Sequence, residues 1–465
     1  MTAIETFIAR IQPLMGNRIS TNATVRQHHA HGEGWQSPDP AAQPDVVVFA
    51  RTTEEVAAIV SACHDLYLPV IPFGGGTSLE GQLTATKGGV SLDLSQMNAI
   101  PDIRPQDLSC RVQAGVTRQQ LNGLLRSDGL FFAVDPGGEA TLGGMCATRA
   151  SGTGAVRYGT MRENVLGLTA VMADGKIIQT GGNVRKSATG YDLTGLLIGS
   201  EGTLGIITEI QARLHPLPET ILGATCQFST LADAVDTATS IIQAGLPIGR
   251  LELLDDVQMD ACIRYSSLEG YRPLPTLFFE LHASPASVTE QADLLREITE
   301  YHNGLSFRAS ASPEERTRLW KARHDAFWAC MAYRQGHKGM TTDAVVPISA
   351  MTDMITLAKQ DIEESGLVAP IVGHVGDGNF HTVILIPPEP DGWARAQALD
   401  HKIIQRALDL GGSISGEHGI GIAKQMFMHN QHGNDAIMVM HAIKRALDPR
   451  NILNPGMLLP AAVSP

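Results

Sequence analysis

Six cysteines are scattered over 465 residues, and no two of them form a C-x-x-C pair. Iron–sulfur clusters and zinc ribbons are built on such spacings, so redox chemistry in this chain requires an organic cofactor. Cys63, Cys110, Cys146, Cys226, Cys262 and Cys330 are expected to be buried, reduced thiols of an intracellular protein. Positive charge is also scarce. Lysine and arginine total 35 against 48 aspartates and glutamates, a net charge of −13. Nucleic-acid partners, which need a basic footprint, are therefore excluded. No stretch of about 18 uncharged apolar residues occurs, so no transmembrane segment is expected. The opening residues, with Glu5 and Arg10, lack the basic-then-apolar order of a signal peptide.

What is abundant is glycine. There are 47, concentrated between residues 74 and 205, as expected where backbone must approach a ligand closely. The remaining composition, 43% hydrophobic and 18% charged, is that of a globular chain of two or three domains. After a helix ending at Gly16 and a polar loop over 17–44, Val46 to Phe49 reads as a buried strand. Thr52 and Glu55 have capping-box spacing for the helix that follows. His28, His29 and His31 in that polar loop are taken as ordinary loop histidines; covalent flavin attachment or metal binding are the alternatives.

A second strand runs into 72-PFGGGTSLEGQ-82. Successive glycines followed by Thr77 and Ser78 expose consecutive N–H groups and two hydroxyls, a concave nest suited to pyrophosphate. The loop is neither a G-x-G-x-x-G fingerprint nor a P-loop. A denser stretch, 135-DPGGEATLGGMCATRASGTGAVRYGTMRENV-165, has too few apolar residues for a helix and too many small ones for a packed strand. It suits a wall against a flat ligand. A third loop, 199-GSEGTLGIITEI-210, enters the strand from Ile206. Three glycine-rich loops beside strands are expected to line one groove.

Two further stretches carry metal-ligating residues. In 371-IVGHVGDGNFHTVIL-385 the Asp377-Gly378 pair signals a type I′ hairpin turn. That register pairs Gly376 with Asn379, Val375 with Phe380, and His374 with His381 on one face. Two imidazoles so placed can share a divalent cation, or form an ordinary surface pair. In 411-GGSISGEHGIGIAK-424, Glu417 offers a third ligand and His418 a neutral base beside it, with coordination positions left for substrate. Between 220 and 460, helices (231–244, 285–302, 313–335, 350–365, 393–410) alternate with strands (221–228, 250–254, 276–283, 367–375, 380–386). That rhythm predicts an α+β domain with a mainly antiparallel sheet. The helix capped by Ser312-Pro313 carries Trp320, Arg323, Phe327 and Trp328 on an expected inward stripe. Its arginine needs an anion there, a substrate carboxylate or a glutamate.

PFGGGTSLEGQ, the 135–165 stretch and GSEGTLGIITEI resemble the flavin-binding half of the vanillyl-alcohol-oxidase/PCMH flavoproteins. HVGDGNFH, GEHGIG and 447-LDPRNILNPG-456, with VRYGTMR, TLFFELH and ARH, resemble the D-2-hydroxyacid dehydrogenase branch, nearest to its FAD-dependent D-lactate dehydrogenases. The likeness runs from about Asp45 to Gly456. It implies an α+β chain with an N-terminal helix and loop (1–44) and a two-subdomain PCMH-type FAD-binding domain (45–219). A cap domain with a mainly antiparallel sheet (220–410) follows, then a helical C-terminal segment returning to the flavin (411–465).

For the cofactor it implies non-covalent FAD held by Pro72, Gly74, Gly75, Gly76, Thr77, Ser78 and Gly81 of the first loop. The second loop would contribute Pro136, Gly137, Leu142, Gly144, Ala147, Thr148, Ser151, Gly152 and Ala155; the third, Glu201, Gly205, Ile206 and Ile207; and the C-terminal segment, Asn454. It implies zinc or manganese on His374, His381 and Glu417, His418 as base, Arg323 anchoring the substrate carboxylate and Asn379 donating to it.

The implied reaction is oxidation of a D-2-hydroxy acid, D-lactate to pyruvate, by hydride transfer to flavin N5. Electrons would leave to cytochrome c, a quinone or an electron-transfer flavoprotein. D-2-hydroxyglutarate and glycolate are the alternatives, the first disfavoured by Thr341 where relatives acting on dicarboxylates carry lysine, with Lys338 nearby. A cytoplasmic protein, peripheral to the inner membrane and open to homodimer formation, is expected. The rival readings are a metal-dependent hydrolase and a non-catalytic flavin subunit.

Overall fold

The computed structural model describes residues 1–461, so the last four residues of the expected 411–465 segment lie outside the described residues. The chain divides into two units. The first comprises 1–151, 159–217 and 417–465; the second comprises 152–158 and 218–416.

In the first unit the apolar runs become two sheets. One has the order Ile19–Ser20, Val46–Phe49, Val90–Asp93, Val70–Phe73, with the last three strands parallel. The other is antiparallel, in the order Asp102–Arg104, Ser109–Gln113, Ile206–Arg213, Val165–Val171, Ile177–Gly181. Helix Thr53–Leu66 buries Val56, Ile59, Val60 and Cys63 in the core that both sheets share. Thr52 accepts the Glu55 N–H, as its spacing predicts. The Glu55 carboxylate is instead bonded to Arg18 and the Arg51 N–H. The loop expected over 17–44 contains a short strand and the helix Ala23–His28, and His29 within it is buried against Asp93.

The 135–165 stretch departs from its expectation. It forms helical turns at Leu142–Thr148, Ala155–Tyr158 and Met161–Asn164. Thr141 caps the first by accepting the Gly144 N–H, and Leu142, Met145 and Cys146 recur at helical spacing and fill the core.

The second unit is built on an eight-stranded antiparallel sheet. Its order is Ser306–Ser310, Thr220–Gln227, Thr276–Ala283, Ile248–Leu254, Ile371–His374, Asn379–Ile386, Lys338–Thr341, with Ala344–Val345 also pairing with Asn379–Ile386. Alternation along 276-TLFFELHA-283 sets its two faces. Leu277, Phe279 and Leu281 point into the main core beneath helices Leu231–Gln243 and Val288–Tyr301. Phe278 turns the other way, to Trp320 and Ala326, and Glu280 and His282 share its parity. The expected single helix over 313–335 is two, Pro313–His324 and Ala326–Tyr333, meeting at Asp325. The break resets the helical phase. Trp320 is buried, but Phe327 and Trp328 are 40% and 60% exposed, so the inward stripe stops at Arg323.

All six cysteines are free and buried. Burial pushes the Cys110 thiol up to about 12 and Cys262 to about 11, so neither forms a thiolate near neutrality.

Candidate active site

In the second unit His374 and His381 do meet, by a different register from the one expected. His374 pairs with Asn379 and Val372 with His381. The reversal spans four residues, 375–378, rather than two. The Asp377 N–H bonds to the His374 carbonyl at 3.1 Å, and the Gly378 carbonyl is taken by the Val346 N–H at 3.0 Å. This pairing differs from the expected one by two residues. Side chains alternate with period two, so the slip leaves both histidines on one face. They are diagonal neighbours, with ring centroids 5.3 Å apart, and both are buried.

Each imidazole is fixed by its Nδ1. His381 Nδ1 donates to the Thr342 carbonyl (2.9 Å), and His374 Nδ1 donates to Glu252 Oε1 (2.6 Å). Burial opposes ionisation of Glu252, but His374 and Arg323 together hold its carboxyl below the usual range. With Nδ1 engaged, Nε2 is the nitrogen each ring would offer to a metal, the arrangement that raises ligand basicity in metal sites. The chain leaves the second unit at the Gly416–Glu417 peptide bond. Buried Asp343 fixes that turn by accepting from Ser415 Oγ (2.6 Å) and the Gly416 N–H (2.8 Å). His374, His381 and Glu417 then each offer a ligand atom, all within 4.8 Å of one another. Two imidazoles and a carboxylate suit a divalent ion such as zinc or manganese.

Two residues given substrate roles by the resemblance have partners inside the protein. Arg323 meets its anion inside the protein: Nη2 and Nε lie 2.6 and 2.8 Å from Glu252 Oε2. It braces the carboxylate that orients His374. Asn379 is likewise committed, with Nδ2 donating to Asp343 Oδ1 (2.8 Å) and the Ala344 carbonyl (2.9 Å). Both amide protons are used within the second unit.

His418 belongs to the first unit, its side chain 8% exposed, with Nδ1 3.2 Å from Glu80 Oε1. Lys424 Nζ lies 3.0 Å from the same oxygen. Burial opposes ionisation of Glu80, and Lys424 and His418 overcome it, holding the carboxyl below its ordinary range.

The three glycine-rich loops converge within the first unit. Gly74 approaches Thr141 so closely that a Cβ would sit 2.5 Å from its Oγ1, and Gly138 faces Thr77. The Glu201 N–H donates to the Ala147 carbonyl at 2.9 Å, and Asn454 Nδ2 bridges the carbonyls of Gln82 (3.1 Å) and Glu201 (2.7 Å). Ser78 Oγ and Asn454 Oδ1 are buried without a hydrogen-bond partner among the described residues. Unsatisfied buried polar atoms in a nest of close-packed backbone fit a pyrophosphate-bearing cofactor such as FAD. Gly152 and Ala155 fall in the second unit.

Sequence reading missed Glu252, Asp343 and Glu80. On the same sheet face as Glu252, Arg250 stacks over Trp320 at 5.0 Å and lies 3.7 Å from Glu280. Glu280 in turn accepts from His282 Nε2 (2.7 Å), and Tyr158 Oη meets His282 Nδ1 (2.7 Å). A strand glutamate gives no local signal of its partner.

Comparison with known proteins accords with this architecture. A family model described as FAD binding domain matches residues 44–181, and one described as FAD linked oxidases, C-terminal domain, matches 217–458. The chain is 46% identical to a protein of Danio rerio named probable D-lactate dehydrogenase, mitochondrial, over 98% of this chain and 92% of that one. It is 41% identical to the mitochondrial D-lactate dehydrogenase (cytochrome) of Arabidopsis thaliana, over 98% of this chain and 80% of that one. The solved structure of p-cresol methylhydroxylase with substrate bound shares the fold, with a TM-score of 0.78 at 20% identity over 98% of this chain and 96% of that one. The chain therefore belongs to the FAD-linked oxidases of the vanillyl-alcohol-oxidase/PCMH class, in the branch of its D-lactate dehydrogenase relatives.

Proposed function

We propose that this chain oxidises D-lactate to pyruvate and passes the electrons to an external acceptor of cytochrome type, as the names of its relatives suggest. The observation that carries the chemistry is the His374–His381–Glu417 donor set, with His418 the next residue in the chain. FAD, held by the first unit's glycine loops, supplies a hydride acceptor. A zinc or manganese ion on the donor set supplies Lewis acidity that lowers the pKa of a substrate hydroxyl.

The chain's own residues orient and move the proton. Glu252 and the Thr342 carbonyl hold the Nδ1 protons of His374 and His381, which makes Nε2 the unprotonated nitrogen of each neutral ring. Arg323 offsets the charge of Glu252 and fixes its direction. His418 accepts the hydroxyl proton at Nε2, since its Nδ1 is engaged by Glu80. Base catalysis of this kind is worth roughly 10²–10⁴-fold.

The test is anaerobic bleaching of the protein's flavin by a panel of D- and L-2-hydroxy acids, including glycolate and 2-hydroxyglutarate. D-lactate should bleach it fastest. His418→Ala should retain flavin colour and lose roughly 10²-fold or more in turnover. Near-wild-type turnover would remove His418 from the mechanism, and an unbleached flavin with every acid would leave a non-catalytic subunit.

A further inference from the structure

The loop 72–82 has a second role besides cradling phosphate. Glu80 lies two residues beyond Ser78, buried, and its backbone and side chain both grip the segment that carries His418. Its carbonyl accepts the Ile422 N–H at 2.9 Å and the Ala423 N–H at 3.2 Å. Its own N–H is held by Gln82 Oε1 (3.0 Å), and Gln82 Nε2 donates to the His418 carbonyl (2.8 Å). Ile420 and Gly421 donate their N–H groups to Glu201, at 2.7 and 2.9 Å. The backbone from the His418 carbonyl to Ala423 is therefore pinned.

We infer that Glu80 is a positioning residue that locks His418 in the tautomer and ring orientation in which Nε2 is the proton acceptor. An ionised carboxylate only accepts hydrogen bonds, so the 3.2 Å contact places the proton of neutral His418 on Nδ1. The lone pair is then on Nε2, pointing away from Glu80. When Nε2 takes a proton, Glu80 faces the resulting imidazolium and stabilises it without receiving the proton, the logic of an acid–histidine couple. Lys424, 3.0 Å from the same oxygen, keeps the carboxylate ionised in its buried setting. The inference rests on His418 being the base, and it adds that the FAD-loop residue Glu80 sets which nitrogen does the work.

The experiment is a double-mutant cycle on the FAD-loaded enzyme. Glu80→Gln should lower kcat roughly 10–100-fold with KM and bound FAD unchanged. Added to His418→Ala, it should cost nothing further, because its effect runs through the missing imidazole. Should Glu80→Gln fold poorly, through stranding the Lys424 charge, Glu80→Gln/Lys424→Met removes both charges, and the same loss of kcat is expected at a recovered melting temperature. Wild-type kcat in a folded Glu80 variant overturns the inference, as does a loss that multiplies on top of His418→Ala. Wild-type turnover in His418→Ala alone would instead overturn the base assignment itself.

Discussion

Glu201 shows how one buried group ties stability to pH. It opens the third glycine loop, and its two oxygens accept the N–H groups of Ile420 and Gly421. Burial raises its carboxyl from the ordinary 4.5 to about 7, against the lowering effect of those bonds and with Glu80 adding to the rise. A carboxyl raised in the folded state holds its proton more tightly there than in the unfolded chain. The stabilisation is complete below the unfolded value and is lost as pH climbs through the folded one, about 3 kcal/mol in all. Glu201→Gln removes the titration and exchanges one accepting oxygen for a donor, a pH-independent cost of about 1 kcal/mol. Denaturation at about pH 5 and about pH 8 should therefore show the wild type losing ground to the variant by up to ~3 kcal/mol on the alkaline side. Parallel pH profiles would show that Glu201 does not titrate in this window. Residue types at the site were legible because histidines and glycines stand out in motifs. Their carboxylate partners were not: Glu80 and His418 are separated by 338 residues, and Glu252 and His374 by 122. Burial alone selects such pairs, and it is decided by tertiary packing.

At the scale of elements, the hairpin was legible in its faces but not in its register. Asp-Gly between apolar runs marks a reversal, and the period of two carries both histidines to one side whether the loop has two residues or four. What set the register lies outside the hairpin: strand Ala344–Val345, pairing with Phe380 and Asn379, extends to bind the Gly378 carbonyl through Val346. Gly378 has φ of 83°, and a Cβ there would sit 2.2 Å from the Val346 carbonyl oxygen. Gly378→Ala should therefore destabilise the second unit by more than ~1 kcal/mol and lower turnover, because the strain falls between the two histidines. A variant with the wild-type melting temperature and kcat would show that the turn tolerates the displacement. The helix over 313–335 erred for a related reason. Ser312 and Pro313 announce its start as read, but the break at Asp325 has no proline or glycine to mark it. Arg323, two residues before the break, faces Glu252, while Phe327 and Trp328 beyond it face outward.

At the scale of the whole molecule, motif order was sufficient for family and fold class, since six short stretches recur in sequence over most of the chain. The electron acceptor is not written in a motif, and net charge is the whole-chain property that bears on it. At −13, the chain attracts cationic partners over long range and leaves neutral ones unsteered. The Debye length shrinks from about 30 Å at 0.01 M salt to about 8 Å at 0.15 M, so steering is screened while contacts within a formed complex largely survive. With D-lactate saturating, reduction of a basic cytochrome should slow several-fold across that range, through the second-order rate constant rather than kcat. A neutral quinone analogue, tested on the same preparation, should be reduced at a rate independent of salt. Salt-independent rates with both acceptors would mean that the charge is spread without facing the docking surface. A matching decline with both would place the salt effect on substrate oxidation instead of on the electron exit.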